Sequence, residues 1–378
     1  MTADTWRSHF PIFEHTTYVN SCSCGALSRE VESAYGDYLA SRHTHGAAWE
    51  IWCEKNEVVR KQFAALINAA PEEIAVTTSA SQSLNALVSA LKPEPDRNRI
   101  VISDYEFPTV GQIWHAQSGR GFEIVTAREG DDGIPLEEFD RLIDDRTLAV
   151  SIAHVCYRNG AMNDVARIVE MAHARGAMVI LDAYQALGAV PIDVRGLGVD
   201  MLIGGALKYL LSSAGLGFLY IRKDHIAKLD PYATGWFAQA DIFAMDMHRH
   251  DPAPDARRFE SGTPPVPSIY AAEAGLGIIN TIGMSAIRDH VRGLTAWLKD
   301  GVRDMGGRLA TPDDPDRHGA MIAVRTTDEH AMVARLAERK VITSCRDGNV
   351  RISPHLYNTI GDINAVLDGL AANRDFLA

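Results

Sequence analysis

An aspartate and a lysine, each coming off an apolar run, are the residues in this chain best placed to do chemistry. Met178-Val-Ile-Leu-Asp-Ala-Tyr-Gln185 ends its run at Asp182, and Asp200-Met-Leu-Ile-Gly-Gly-Ala-Leu-Lys-Tyr209 delivers Lys208 after a small-residue turn. An amine at one strand end can hold an aldehyde as an imine. A carboxylate at the neighbouring end can keep a pyridine nitrogen protonated, so that the ring accepts electrons from a substrate carbanion. Together these are the requirements of pyridoxal 5'-phosphate (PLP) chemistry. Small and apolar residues flank Lys208 on both sides, so its amine is expected to be partly buried and its pKa lowered. Asp182 alone would read as a helix N-cap; ahead of Lys208 it reads as the pyridinium partner. Gln185, on the same turn, can reach the cofactor's phenolic oxygen.

A phosphate needs backbone N–H groups at a helix start. Thr77-Thr-Ser-Ala-Ser-Gln-Ser-Leu-Asn85 provides an apolar strand end, small hydroxyl residues and then a helical pattern, which puts Ala80 and Ser81 in the cradle. The elements that must position these groups follow from periodicity. Seven apolar runs read as strands: 74–77, 100–103, 122–126, 149–155, 177–181, 201–203 and 217–222. Helical-period segments alternate with them, among them 29–40, 49–69, 84–91 and 165–172, the last closed by Gly176. This alternation predicts an α/β fold with a mostly parallel seven-stranded sheet flanked by helices. Residues 228–266 show no period and are expected to be mostly loop. Helices over 268–282 and 285–305 follow, then a strand, helix, strand, helix tail that predicts a smaller α+β domain. The expected division is a large domain over 13–255 and a small one over 256–378 with 1–12.

Composition narrows the partners. The 378 residues carry 37 basic and 49 acidic side chains, a formal net charge of −12, with no basic stripe. That argues against nucleic acid or an anionic membrane as the main partner. No apolar stretch reaches membrane-spanning length, and the N-terminus lacks a basic start followed by an apolar core. Five cysteines, an odd number, do not make a disulfide framework, so a cytoplasmic protein with reduced thiols is expected. Cys22 and Cys24 form a C-x-C without a second ligand pair at suitable spacing, and the histidines are scattered; no metal site is expected.

Over nearly its whole length the chain resembles the class V aminotransferases, PLP enzymes of fold type I, and several segments resemble kynureninase most. Asp104-Tyr-Glu-Phe-Pro-Thr109 is similar to the segment whose ring stacks on the cofactor, which makes Phe107 the stacking residue. His154-Val-Cys-Tyr-Arg-Asn-Gly-Ala-Met-Asn-Asp164 resembles a strand-to-helix motif in which Tyr157 lies beside the cofactor. The stretch Arg258-Phe-Glu-Ser-Gly-Thr-Pro-Pro265 implies that Gly262 and Thr263 reach the neighbouring subunit's phosphate, hence a homodimer with shared active sites. Val350-Arg-Ile-Ser-Pro-His-Leu-Tyr-Asn358 is similar to the carboxylate-binding segment, so Arg351 would clamp the substrate α-carboxylate, a task that suits a planar two-pronged donor. Asn20, in Tyr18-Val-Asn-Ser-Cys-Ser-Cys-Gly-Ala-Leu27, would face the substrate.

The chain departs from the kynureninase pattern at Gln185, which resembles cysteine desulfurases, at Leu207 before the lysine, and at Ala238-Gln239 after the Trp236-Phe237 pair. Desulfuration needs a thiolate on a mobile loop, and Cys345 lies too close to Arg351 for that; it reads as a small buried residue. What the resemblance implies is an enzyme that joins an α-amino acid to PLP and generates a carbanion. Cleavage at the substrate Cβ, of kynureninase-like or lyase type, is the leading outcome. Amino transfer to a 2-oxo acid is the alternative, with desulfuration, racemisation and a non-catalytic PLP-binding dimer behind it.

Overall fold

The computed structural model describes residues 3–130 and 133–378; Met1, Thr2, Asp131 and Asp132 lie outside the described residues. After a two-residue strand β1 (Thr17–Tyr18), the chain builds a seven-stranded sheet from β2 (Ile74–Thr77), β3 (Arg99–Ser103), β4 (Glu123–Ala127), β5 (Thr147–Ala153), β6 (Met178–Asp182), β7 (Met201–Gly205) and β8 (Gly217–Ile221). Their order is β2-β8-β7-β6-β5-β3-β4, and only β8 runs against the rest. All seven runs anticipated from apolar content are strands, with ends shifted by a residue or two. Successive residues point to opposite faces, yet both sets are apolar. Val101, Val150, Val179, Leu181 and Leu202 enter one core, while Ile100, Ile102, Ile180, Met201 and Ile203 enter the other. Helices covering both faces require this continuous apolar character.

The helices start where short polar side chains can accept a first-turn N–H. Ser28 accepts from Val31, Ser79 from Gln82 and Asp164 from Arg167. The helix Val165–Ala174 stops before Gly176, whose φ of 67° is left-handed. The first helix runs past the expected 29–40: it spans Arg29–His45 and ends at Gly46. Residues 228–265 carry 3₁₀ turns at Trp236–Ala238 and Ala256–Phe259 and an isolated bridge between Gln239 and Pro252, and the short helix at 223–226 ends just before them.

The helix Val266–Ile282 crosses back and packs along the helices Arg29–His45 and Trp49–Leu66. A second, antiparallel sheet has the order β11-β12-β9, from β9 (Ile322–Arg325), β10 (Val341–Ile342), β11 (Ser344–Arg346) and β12 (Asn349–Ile352), with β10 pairing with β1 instead. Leu294, Leu298, Val302, Met332, Leu336, Ile363 and Val366 cover it from three helices. The N-terminal segment joins the two sheets. Ser353 N–H donates to the Val19 carbonyl, Ser21 N–H to that of Ser353, and Gly25 N–H to that of Leu207. Residues 20–25 are thereby held between the end of β7 and the end of β12. Among the described residues no helix is long and apolar enough to cross a membrane.

Candidate active site

Five parallel strands, β2, β3, β5, β6 and β7, end at one edge of the large sheet. The loops following such ends are where ligands bind in α/β folds. One cavity of about 170 Å³ lies there. Each of the five loops contributes to it: Ser79, Ala80 and Ser81 after β2, Phe107 and Thr109 after β3, Val155 and Tyr157 after β5, Tyr184 and Gln185 after β6, and Lys208 after β7, with Asp182 itself ending β6. Seven residues singled out from sequence alone, Ala80, Ser81, Phe107, Tyr157, Asp182, Gln185 and Lys208, therefore share one cavity.

The Asp182 carboxylate accepts the Tyr184 backbone N–H at 2.9 Å. Burial raises its pKa, opposed by that N–H and by Lys208. The Lys208 amine lies 4.4 Å from the Tyr184 ring centroid and 5.8 Å from that of Phe107. Burial brings its pKa down to about 8, against the pull of Asp182 and with help from Arg351. An amine in that range is a usable nucleophile at neutral pH. Phe107 and Tyr157 meet edge to face at 5.1 Å, and Phe107 stays 46 % exposed, so an apolar ring faces the open side of the cavity.

At the other end, the helix Ala80–Ala90 begins with first-turn N–H groups that have no intrahelical partner. The Ser81 and Thr109 hydroxyls meet at 3.0 Å beside it. This helix start comes so close to β8 that a Cβ on Gly217 would lie 2.3 Å from the Ser79 carbonyl carbon. Gly217→Ala must therefore push the cradle away or strain the strand. It is expected to weaken PLP binding at least tenfold and to cost about 1–3 kcal/mol of stability, read by cofactor titration and thermal unfolding. Native values for both would show that the cradle yields freely.

Arg351, on β12, is buried and carries the other notable charge. Its Nη1 donates to the Tyr157 carbonyl at 2.8 Å, and its Nη2 to Ser344 Oγ at 2.9 Å and Ser23 Oγ at 3.3 Å. Its Nε is buried without a partner. Among the described residues no carboxylate comes within ion-pairing distance of it. A buried, uncompensated guanidinium is costly, and it is the condition for receiving an anion.

The remaining candidates are less central. Gln185 Nε2 donates to the Cys22 carbonyl at 3.1 Å, which joins the acid turn to the N-terminal loop. Asn20 bridges Ser353 through its backbone, with its Oδ1 3.9 Å from Cys22 Sγ, and does not line the cavity. Gly262 and Thr263 are exposed and outside the cavity of their own chain. Cys345 pairs with Val350 in the β11–β12 hairpin, and its Sγ lies 3.5 Å from His330 Nδ1; burial raises its pKa. Ser344, its neighbour on the opposite face, is the residue that touches Arg351. Sequence reading missed Ser23, Ser344, Tyr184 and Glu106. Tyr184 sits inside the motif already singled out, whereas the two serines reach Arg351 only through pairing of distant segments.

The donor set suits PLP: an amine of lowered pKa, a buried acid, an aromatic wall and a helix start whose close approach to β8 leaves no room for a Cβ on Gly217. Comparison with known proteins agrees. Residues 18–366 match the family model described as aminotransferase class-V. The chain is 36% identical over 369 residues to an uncharacterized aminotransferase, YcbU, of Bacillus subtilis, covering 98% of this chain and 97% of the relative. It is 29% identical over 391 residues to a kynureninase of Deinococcus radiodurans, with 98% and 93% covered. The fold also matches the solved apo cysteine desulfurase of Thermococcus onnurineus with a TM-score of 0.88 at 22% identity, covering 99% of this chain and 98% of that one. From its sequence, its fold and the cavity at the ends of its parallel strands, this chain belongs to the aminotransferase class V family, PLP-dependent enzymes of fold type I.

Proposed function

We propose that the enzyme acts on an α-amino acid that carries a single carboxylate. The observation that carries this reading is Arg351: a buried guanidinium held by three oxygen acceptors and, among the described residues, paired with no anion. Lys208 is the amine that exchanges with the substrate amine and then moves a proton at the substrate Cα. Asp182 would hold the ring nitrogen of a bound PLP in its charged form, and Phe107 would form one wall of the ring's pocket. PLP supplies the electron sink for the charge left on Cα. Among the described residues Lys208 is the only cationic side chain lining the cavity, and Arg351 sits outside that lining, against the Tyr157 carbonyl; that one guanidinium matches one carboxylate.

Cleavage at Cβ is the favoured fate, a reading supported by the segments resembling kynureninase and by the kynureninase relative. Amino transfer to a 2-oxo acid is the second reading, favoured by the aminotransferase relative at 36% identity. Desulfuration is disfavoured, since Cys345 sits in a paired strand on the face away from Arg351. A homodimer belongs to the same proposal: the phosphate cradle is built from hydroxyls and N–H groups, and the exposed Gly262–Thr263 turn would add groups of the same kind to a second copy's site.

Purified enzyme with PLP is tested on a panel of amino acids, with and without a 2-oxo acid, and products are identified by mass spectrometry. Side-chain fragments formed without the acceptor are expected. Turnover that requires the acceptor would replace cleavage by transfer, and turnover confined to dicarboxylic amino acids would overturn the single-carboxylate reading.

A further inference from the structure

A second carboxyl lies behind the cavity. Glu106 directly precedes Phe107 and is buried. Its Oε1 accepts the Ser103 hydroxyl at 2.8 Å and the Ala153 backbone N–H at 2.8 Å, whereas its Oε2 is buried with no partner. This asymmetry matches a neutral carboxylic acid, whose carbonyl oxygen accepts and whose other oxygen carries the proton. An ionised group would leave half its charge on a bare, buried oxygen, which is expensive. Ala153 is the direct cross-strand partner of Asp182, and the next N–H, from His154, donates to the Asp182 carbonyl at 2.8 Å. Glu106 thus grips the backbone against which Asp182 is registered, and it also fixes the turn that presents Phe107.

We propose that Glu106 is a positioning residue that works in its neutral form: it sets the Ala153–Asp182 register and the Phe107 turn while leaving Asp182 as the only anion at the cofactor's ring. This rests on the reading that Asp182 faces the ring nitrogen. The titratable groups on the surrounding elements are Tyr105 on its own turn, His154 and Cys156 after β5, Asp182 on β6 and Lys208 after β7. Burial keeps Tyr105 and Cys156 protonated and holds His154 neutral, with its pKa down to about 4. Burial and then Asp182 push the Glu106 pKa up to about 8. A carboxyl whose folded pKa is raised costs stability as pH rises from its ordinary range to that value, because only the unfolded chain releases the proton freely.

Three variants test this, each read by PLP titration, cofactor absorbance and unfolding temperature from pH 5 to 9. Glu106→Gln keeps the acceptor and is neutral at every pH. It is expected to retain native cofactor absorbance and to show a smaller decline in unfolding temperature between about pH 5 and 8 than the one the raised Glu106 pKa predicts for the native protein. Glu106→Ala leaves the Ala153 N–H and Ser103 without their acceptor and should weaken PLP binding at least tenfold. A native-like pH profile for Glu106→Gln, or native PLP affinity for Glu106→Ala, overturns the proposal. Asp182→Asn separates it from its premise: native affinity and absorbance there would remove Asp182 from the ring, whatever the Glu106 variants do.

Discussion

Lys208→Ala is expected to lose turnover by at least about 10³-fold, the scale on which a positioned proton-transferring group matters, and to lose the covalent hold on PLP as well. Borohydride reduction followed by peptide mapping should label Lys208 in the native enzyme and nothing in the variant. A label on another amine would remove the lysine from its role. The depressed pKa adds a pH signature. At about 8, roughly a tenth of the amine is neutral at pH 7, against fewer than about one in a thousand for an ordinary lysine. The rate at which cofactor-free enzyme captures PLP should therefore climb up to about pH 8 and then level. A rate still climbing well past pH 9 would mean an unshifted amine.

Arg351→Met should raise KM for α-amino acids by roughly 10²–10³-fold, as expected when one member of a buried charge pair is truncated. The KM of substrates lacking the carboxylate should barely change. Stability should move the other way. Among the described residues Arg351 has no anionic partner, so replacing it with an apolar side chain of similar length relieves a desolvation cost, and the substrate-free variant should unfold at the same or a higher temperature. A residue kept for packing would show the reverse: native KM and a clear loss of stability.

These two expectations differ in how far they could be read from the chain. Asp182, Gln185 and Lys208 follow apolar runs, and once those runs are parallel strands their C-terminal ends must converge. The cradle at Ala80 and Ser81 is equally local, a strand end followed by a capped helix start. The helix Pro108–Ala116 was not legible, because Pro108 reads as a break until it is seen at the first helical position. Strands β1, β10 and β11 are two or three residues long, too short for any period to register.

Local sequence was thus enough to set the fold class and to place Asp182 and Lys208 at the ends of neighbouring strands, since each depends on the order of neighbouring residues along one strand and its turn. Only tertiary structure decided the surroundings of Arg351, where Ser23, Ser344 and the Tyr157 carbonyl arrive from three separate segments, and the state of Glu106, which depends on Ala153 across the sheet. Contacts of that kind are products of strand register and of how the two sheets close on the N-terminal segment. The charge a buried group carries follows from those contacts rather than from the residues beside it in the chain.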